Sequence, residues 1–212
     1  MKIIECANQL PTSLISHGML SAVLSKSVSN VNNKIASLVA SGDLIRLKKG
    51  FYSFAQAYRK QPINLLAIAN GLYAPSYVSF EYALSWYGVI PEQVVQVTSA
   101  TSKNNKLFDT PLGRFSYKKV PMKAYSLGVD WHFDDVEGGL FIATLEKALC
   151  DKIRYEWGLG SLTQEQMLEY LEHDLRAELP ADINIKLIES IATAYRSKNL
   201  ATLATVLRKK RL

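Results

Sequence analysis

Short amide, hydroxyl and cationic side chains recur across residues 26–37 at a spacing that suits recognition of base edges. With Ile35 turned inward and about 100° per residue, one outward helix face carries Lys26, Asn30, Asn33 and Ser37, flanked by Ser29 and Lys34. Asparagine can pair bidentately with adenine, and serine can bond several acceptors. An ordinary solvated helix would instead mix glutamate with lysine. The pattern therefore indicates a DNA-reading face.

An apolar stripe with helical spacing underlies this face. Its members are Val28, Val31, Ile35, Leu38 and Val39, which fall on one side of an α-helix. Ser27 precedes the stripe and is expected to cap the helix, because its hydroxyl can accept from a free amide of the first turn. Gly42 follows the stripe, where a left-handed turn suits glycine.

A small basic hairpin is predicted directly after this helix. Residues 44–47 and 51–53 are typical of strands, and residues 48–50 of the turn between them. Arg46, Lys48 and Lys49 would place positive charge along a DNA backbone. A helix followed by such a hairpin is typical of a winged helix-turn-helix, in which the helix enters the major groove. The alternative is a plain surface helix with a hairpin after it.

The charge of the 212-residue chain is uneven. Residues 1–60 carry eight Lys/Arg and two Asp/Glu, a net charge of +6, whereas residues 61–207 carry 13 basic and 17 acidic residues. A basic end module suits a polyanionic partner. Four more cations close the chain, namely Arg208, Lys209, Lys210 and Arg211. This tail is expected either to clamp phosphates or to act only as a solubilising end.

Composition favours a folded cytoplasmic protein. Hydrophobic residues make up 48% of the chain and charged residues 21%, and we expect neither a membrane span nor a secretory signal. Cys6 and Cys150 lie in apolar helical patterns far apart in sequence, which favours buried thiols in a reducing compartment over a disulfide.

Periodicity predicts an α+β chain of two domains with a boundary near residues 56–62. A winged helix-turn-helix domain would occupy residues 1–58, and a mixed α/β domain ending in a helical segment and the basic tail would occupy residues 59–212. Helices are predicted at 2–10, 16–24, 62–73, 80–88, 145–157, 163–175, 183–195 and 200–207, with proline in the first turn at 62 and Ser79 and Thr144 as caps. Strands are predicted at 94–99, 115–120 and 140–143.

Three stretches resemble elements of the AbiEi-type antitoxins of abortive-infection systems. Residues 77–92, YVSFEYALSWYGVIPE, resemble the family's YxSxxSALxxxGLIPE element, and residues 142–151, IATLEKALCD, resemble its IAxxEKALxD element. Residues 46–52, RLKKGFY, match its RLxxGxY ending of the winged helix. The resemblance covers about residues 17–157.

The resemblance implies a transcriptional repressor of a type IV toxin–antitoxin system that takes part in phage defence. Such a protein binds inverted repeats in double-stranded operator DNA and thereby represses its own operon. Its C-terminal domain counteracts a nucleotidyltransferase-type toxin without forming a stable complex with it. The matching wing adds Tyr52 to the expected DNA contacts. No cofactor, metal or catalytic residue is implied, so the chain is expected not to be an enzyme.

Three carboxylates could be imagined as catalytic, but a structural role is favoured for each. These are Glu81, Glu146 and Asp151. Glu146 lies in a first helical turn, where its charge interacts favourably with the helix dipole. Lys147 and Asp151 are spaced i,i+4 and are expected to pair on the surface. The three histidines are scattered without partners at metal-ligand spacing.

A second basic cluster, Arg114, Lys118, Lys119 and Lys123, is open to two interpretations. It is either another nucleic-acid surface or the solvated face of a sheet, and the latter is favoured. On a strand, Arg114 and Lys118 would share one face, with Phe115, Tyr117 and Lys119 opposite. Two rival functions also stay open: a protein-interaction module with secondary DNA binding, and an enzyme that processes nucleic acid.

Overall fold

The structure, a computed structural model, describes residues 2–210 and has an α+β fold. The helices are α1 (Ile3–Gln9), α2 (His17–Leu24), α3 (Val31–Ala40), α4 (Leu65–Leu72), α5 (Phe80–Trp86), α6 (Met122–Tyr125), α7 (Leu145–Tyr155), α8 (Gln164–Glu169), α9 (Ile185–Tyr195) and α10 (Lys198–Lys210). A short 3-10 helix spans Gln56–Tyr58, and a π-helical turn, Tyr170–Asp174, continues α8. No helix among the described residues is long and apolar enough to cross a bilayer.

The strands form two sheets within residues 2–210. The smaller sheet is antiparallel, in the order β1-β3-β2, and consists of β1 (Ile15–Ser16), β2 (Leu44–Lys48) and β3 (Phe51–Phe54). The larger sheet is β4 (Ser76–Val78), β5 (Val97–Thr101), β6 (Lys106–Thr110), β7 (Gly113–Lys119), β8 (Val129–Asp134) and β9 (Gly138–Ala143). Its order is β6-β7-β5-β4-β9-β8, and it is mixed because β4 runs parallel to β9 and β5 parallel to β7.

The N-terminal end of α3 differs from the prediction. The helix begins at Val31, and Asn30 caps it by accepting a hydrogen bond from the Asn33 amide at 3.0 Å. Ser27 is not the cap, because its amide and its hydroxyl both donate to the Leu24 carbonyl and so belong to the turn that ends α2. The side chain of Asn30 therefore caps the helix, a role that the sequence analysis assigned to the Ser27 hydroxyl.

The basic hairpin is confirmed. Strands β2 and β3 pair antiparallel, with an irregularity between Arg46 and Lys48. Gly50 occupies the turn with φ of +81°, a conformation that is unfavourable for residues with a side chain. The predicted strand boundaries match to within a residue.

Two clusters of buried hydrophobic residues hold the chain together. The first draws on α1, α2, α3 and the small sheet, and includes Leu20, Ile35, Leu38, Leu44 and Phe54. The second lies between the large sheet and α4–α10 and includes Ile68, Tyr77, Phe115, Leu149 and Leu203. Leu47 of β2 is buried in the second cluster although it lies in the hairpin.

Elements after residue 60 agree with the prediction only in part. The strand predicted at 94–99 is β5 at Val97–Thr101, and the short helix α6 was not predicted. α4 is capped by Asn64, whose side chain accepts from the amides of Leu66 and Ala67, so Pro62 lies outside the helix and not in its first turn. Strands β4, β6 and β8 were not predicted. β4 has only three residues, and β6 is an edge strand whose sequence has no apolar alternation. The sequence of the other edge strand, β8, does alternate, with Val129, Trp131 and Phe133 between polar residues, so the prediction missed a strand signal there.

Candidate nucleic-acid interface and buried polar network

The outward face of α3 carries small polar side chains. Asn33 and Ser37 are exposed, as predicted, and Asn32 is exposed beside them. Lys34 is half-buried. Lys26 and Ser29 are exposed but lie in the turn before the helix, so they flank its first turn and do not share its face. Asn30 is exposed, but its side-chain Oδ1 is occupied because it caps α3.

Asn32 is a surface residue that the prediction missed. Its Oδ1 lies 2.8 Å from Nε2 of His17 in the first turn of α2, and Nδ1 of that ring lies 3.3 Å from the Ser21 hydroxyl. This exposed chain links α2 to α3. The predicted helix began before Asn30, so Asn30 was expected to face outward. With Asn30 as the cap, Asn32 and Asn33 both lie in the first turn, and the sequence Asn-x-Asn-Asn could have indicated this.

The cations of the hairpin fall into two kinds. Arg46 and Lys49 are exposed, as a backbone contact requires. Lys48 is not free, which corrects the prediction: its Nζ donates to the Leu72 carbonyl of α4 and lies 4.3 Å from the centre of the Phe51 ring. Burial, reinforced by neighbouring lysines, lowers the Lys48 pKa. Lys48 therefore attaches the hairpin to the rest of the fold.

Tyr52 is also a correction. Its side chain is 7% exposed and belongs to the first hydrophobic cluster. On β3 it pairs in register with Ile15 and Arg46. Tyr52 therefore packs on the buried side of the hairpin, and its ring is not accessible to DNA.

The basic C-terminal residues that the structure describes have partners on the surface. Arg208 pairs with Glu189, Lys209 Nζ donates to Oε1 of Gln164 at 2.8 Å, and Lys210 pairs with Glu172 at 3.0 Å. Arg211 lies outside the described residues. All three belong to α10, which packs on α7, α8 and α9. The structure therefore does not place them on the face of α3.

Lys147 and Asp151 form an ion pair that is buried and not on the surface, contrary to the prediction. Their charged atoms are 2.8 Å apart, and neither side chain is exposed. The predicted i,i+4 pairing on α7 is confirmed. Its side of the helix faces inward, because Lys147, Asp151 and the apolar Ala148 all lie against other elements of the larger cluster.

Hydroxyl and carbonyl groups complete the coordination of this pair. Asp151 accepts from Tyr195 at 2.5 Å, from Ser79 at 2.8 Å and from Tyr77 at 3.2 Å. Lys147 donates to the Ala124 carbonyl at 2.9 Å and to the Tyr195 hydroxyl at 3.1 Å. Burial, and then the Asp151 charge, raise the pKa values of Tyr77 and Tyr195, so both phenols keep the proton they donate.

Residues 77–92 and 142–151, two of the stretches that carry the resemblance, meet in this network. Tyr77 and Ser79 are the tyrosine and serine of the first motif, and Lys147 and Asp151 are the lysine and aspartate of the second. Ser79 precedes α5, as predicted, but makes no capping hydrogen bond. Its hydroxyl instead donates to Asp151. The network thus joins β4, α5, α7 and α9.

The three carboxylates considered for catalysis have separate structural partners. Glu81 pairs with Lys152 at 2.8 Å. Glu146 accepts from the Asn184 amide at 2.8 Å, and Asp151 is the buried acceptor already described. Among residues 2–210, no group of three His, Cys, Asp or Glu side chains could hold a metal ion. These contacts stabilise the fold.

The strand cluster around β7 shows the predicted alternation. Phe115 and Tyr117 are buried, whereas Arg114 and Lys118 are exposed. Arg114 pairs with Asp109 on β6 at 2.6 Å. Lys119 departs from the expected inward face, because it is exposed at the strand end, and Lys123 is exposed on α6.

Cys6 and Cys150 are free and buried, as the sequence predicts. Burial raises the pKa of both thiols, which keeps them protonated and weakly nucleophilic. Compared with protein-family models and with curated proteins, the chain gives no match.

Proposed function

We propose that this protein is a sequence-specific, DNA-binding transcriptional repressor that acts in the cytoplasm as the antitoxin of a type IV toxin–antitoxin system. In this proposal, residues 1–58 form a winged helix-turn-helix and residues 59–212 the antitoxin domain. Helices α2 and α3 supply the helix-turn-helix, and the β2–β3 hairpin is the wing.

The observation that carries the DNA-binding proposal is the exposed face of α3. Asn33 and Ser37 lie exposed on it, one turn apart, and the helix contains no acidic residue. Amide and hydroxyl groups can bond base edges in the major groove, whereas carboxylates would be repelled by phosphates. Such a face is suited to reading a duplex.

Cations on both sides of α3 support the same proposal. Lys26 lies exposed before its first turn, and Arg46 and Lys49 lie exposed on the hairpin after it. The surplus of six positive charges in residues 1–60 would neutralise phosphates. These contacts position the protein, and the amides of α3 give sequence discrimination.

The antitoxin part of the proposal is supported by the two motif stretches and by the contact between them. Their polar residues join in one buried network around Asp151. A network of this kind fixes the relative positions of the helices and the sheet. The surface of residues 59–212 would then counteract a nucleotidyltransferase-type toxin without staying bound to it.

A second candidate function, a protein-interaction module, is favoured by one observation. Trp131 and Phe133 on β8 and Phe141 on β9 are about half exposed. Trp131 lies directly opposite Phe141 in the ladder, and β8 is an edge strand. Adjacent exposed aromatic residues are typical of protein contacts.

The decisive test measures DNA binding and toxin neutralisation separately. Purified protein is titrated by fluorescence anisotropy against the duplex upstream of its own gene and against a scrambled duplex of equal length. Tighter binding to the upstream duplex supports repression, and equal binding contradicts it. Expression of a nucleotidyltransferase gene adjacent to this one should stop growth, and co-expression of this protein should restore it. Co-purification of another protein in stoichiometric amount would instead favour the interaction module.

A further inference from the structure

Lysines and aromatic rings gather where the hairpin meets the edge of the larger sheet. We call this group the hairpin–β6 cluster; it consists of Lys48, Phe51, Tyr73, Lys103, Lys106 and Phe108. The Nζ atoms of Lys48 and Lys106 lie 5.3 and 5.8 Å from the centre of the Phe108 ring. Lys103 Nζ lies 5.3 Å from the Tyr73 ring, whose centre is 6.0 Å from that of Phe108.

The ammonium groups of this cluster have no acidic partner. In the part of the chain that the structure describes, no ion pair involves Lys48, Lys103 or Lys106. Lys103 donates to the Ala74 carbonyl at 2.5 Å. The nearby Asp109 lies on the alternate face of β6 and pairs with Arg114.

Burial and neighbouring positive charge both act on the Lys48 ammonium. The Lys48 pKa is lowered first by burial and then by the charges of Lys103 and Lys106. The three cations thus repel one another and find only carbonyl dipoles and ring faces as partners. Lys103 and Lys106 are exposed, so an external anion can reach them.

The aromatic rings do not form an open stacking surface. Tyr73, Phe108 and Tyr117 meet edge to face, and the lysine ammoniums lie near the rings. All three rings are partly or fully buried against the larger cluster. The cluster therefore suits phosphate groups of a duplex better than unpaired bases of a single strand, which need free ring faces.

The location of the cluster relates it to the hairpin. Lys48 connects β2 to the carbonyl of Leu72, and β2 packs beside β6. Lys49 follows Lys48 in the turn and is exposed. Cations of the hairpin and of β6 therefore belong to one positively charged region that crosses from the first cluster to the second.

We propose that Lys103 and Lys106 bind the phosphate backbone of duplex DNA beside the segment that α3 reads, so that the DNA interface continues from the hairpin onto the larger sheet. This inference rests on the proposed DNA-binding function and extends it to residues outside the winged helix. The contacts are independent of base sequence.

The test compares two double variants of the full-length chain. Lys103→Gln/Lys106→Gln removes two charges from the cluster, and Lys186→Gln/Lys198→Gln removes two exposed charges from α9 and α10 as the matched control. Binding to a mixed-sequence duplex of about three helical turns is measured by anisotropy across a salt series. Thermal melting checks that each variant is folded.

The cluster variant should flatten the plot of log K against log salt by about two relative to wild type, one for each lost phosphate contact. The control variant should keep the wild-type slope. If both variants keep the wild-type slope, Lys103 and Lys106 do not contact DNA, whereas tighter wild-type binding to the upstream duplex than to a scrambled one would still support the proposed repressor. If the wild-type protein binds neither the mixed-sequence duplex nor the duplex upstream of its own gene at any salt concentration, both proposals fail.

Discussion

The Lys147 ammonium lies 2.8 Å from the Asp151 carboxylate, and neither side chain is exposed to solvent. Both charges are also fully hydrogen-bonded, since Tyr77, Ser79 and Tyr195 donate to Asp151 and Lys147 donates to the Ala124 carbonyl. Burying a pair of charges gives little net stability over apolar residues. Removing one member is a different matter, because it leaves the other charge buried alone.

Lys147→Met should therefore lower the free energy of unfolding by about 3–5 kcal/mol, measured by urea denaturation. Lys186→Met on the exposed face of α9 is the control and should change the stability by less than about 0.5 kcal/mol. Adding Asp151→Asn to Lys147→Met should cost less than the sum of the single changes. A Lys147→Met protein as stable as the control would contradict the buried pair.

Asn30 and Asn33 should differ in what they contribute, although both are exposed amides near the start of α3. Asn30→Ala removes the cap, so the free energy of unfolding should fall by about 1 kcal/mol and affinity for any duplex should change only slightly. Asn33→Ala keeps the cap, because Asn30 accepts from the backbone amide of residue 33. It should weaken binding to the operator about tenfold and leave binding to scrambled DNA unchanged. Equal losses on both duplexes would mean that Asn33 reads no base.

Lys48 and Lys49, neighbours in the hairpin, should also differ in what they contribute to DNA binding and to stability. Lys49→Gln should reduce the salt dependence of DNA binding by about one phosphate contact. Lys48→Gln should leave that slope nearly unchanged and lower the melting temperature, because its ammonium is bonded to the Leu72 carbonyl. Anisotropy across a salt series and thermal melts of both variants distinguish these effects. The reverse assignment would show that Lys48 is free to reach DNA.

Asp134 should contribute to the acid sensitivity of the fold. Amide donors at Glu137 and Val136, followed by Asn64, hold its pKa below the usual aspartate range. Since the folded pKa is the lower one, this stabilisation is present above the unfolded value of about 4 and disappears as pH falls through the folded value.

Urea midpoints measured between neutral and strongly acid pH test this contribution. The midpoint of Asp134→Asn should fall less steeply below about pH 4 than that of wild type. Asp135→Asn, exposed in the same turn, is the matched control and should follow the wild-type curve. Identical curves for all three proteins would show that the Asp134 bonds are absent in solution.

Much of the fold could be predicted from local patterns. The hairpin, α2 and α7 with its Thr144 cap follow from periodicity and capping chemistry. Edge strand β6 could not be predicted, because its sequence has no apolar alternation to detect. Strand β8 could have been predicted, because Val129, Trp131 and Phe133 alternate with polar residues. The parallel pairing of β4 with β9 joins residues that no local signal relates.

The candidate sites were predictable only in part. Residue type identified the polar face of α3, but the position of its first turn decided which asparagine caps and which one faces outward. The i,i+4 spacing identified the Lys147–Asp151 pair, yet only the tertiary packing puts it inside. Lys48 and Tyr52 have side chains typical of DNA contacts, and contacts with distant residues determine that they are otherwise engaged.

Strand β2 takes part in both interiors of the molecule. Leu44 is buried in the first hydrophobic cluster and Leu47, three residues later, in the second. Unfolding of either cluster would expose one of these leucines to water and disturb β2, which would also destabilise the other cluster. The protein should consequently show a single calorimetric transition, with a van't Hoff enthalpy equal to the calorimetric one, in place of two separate domain transitions.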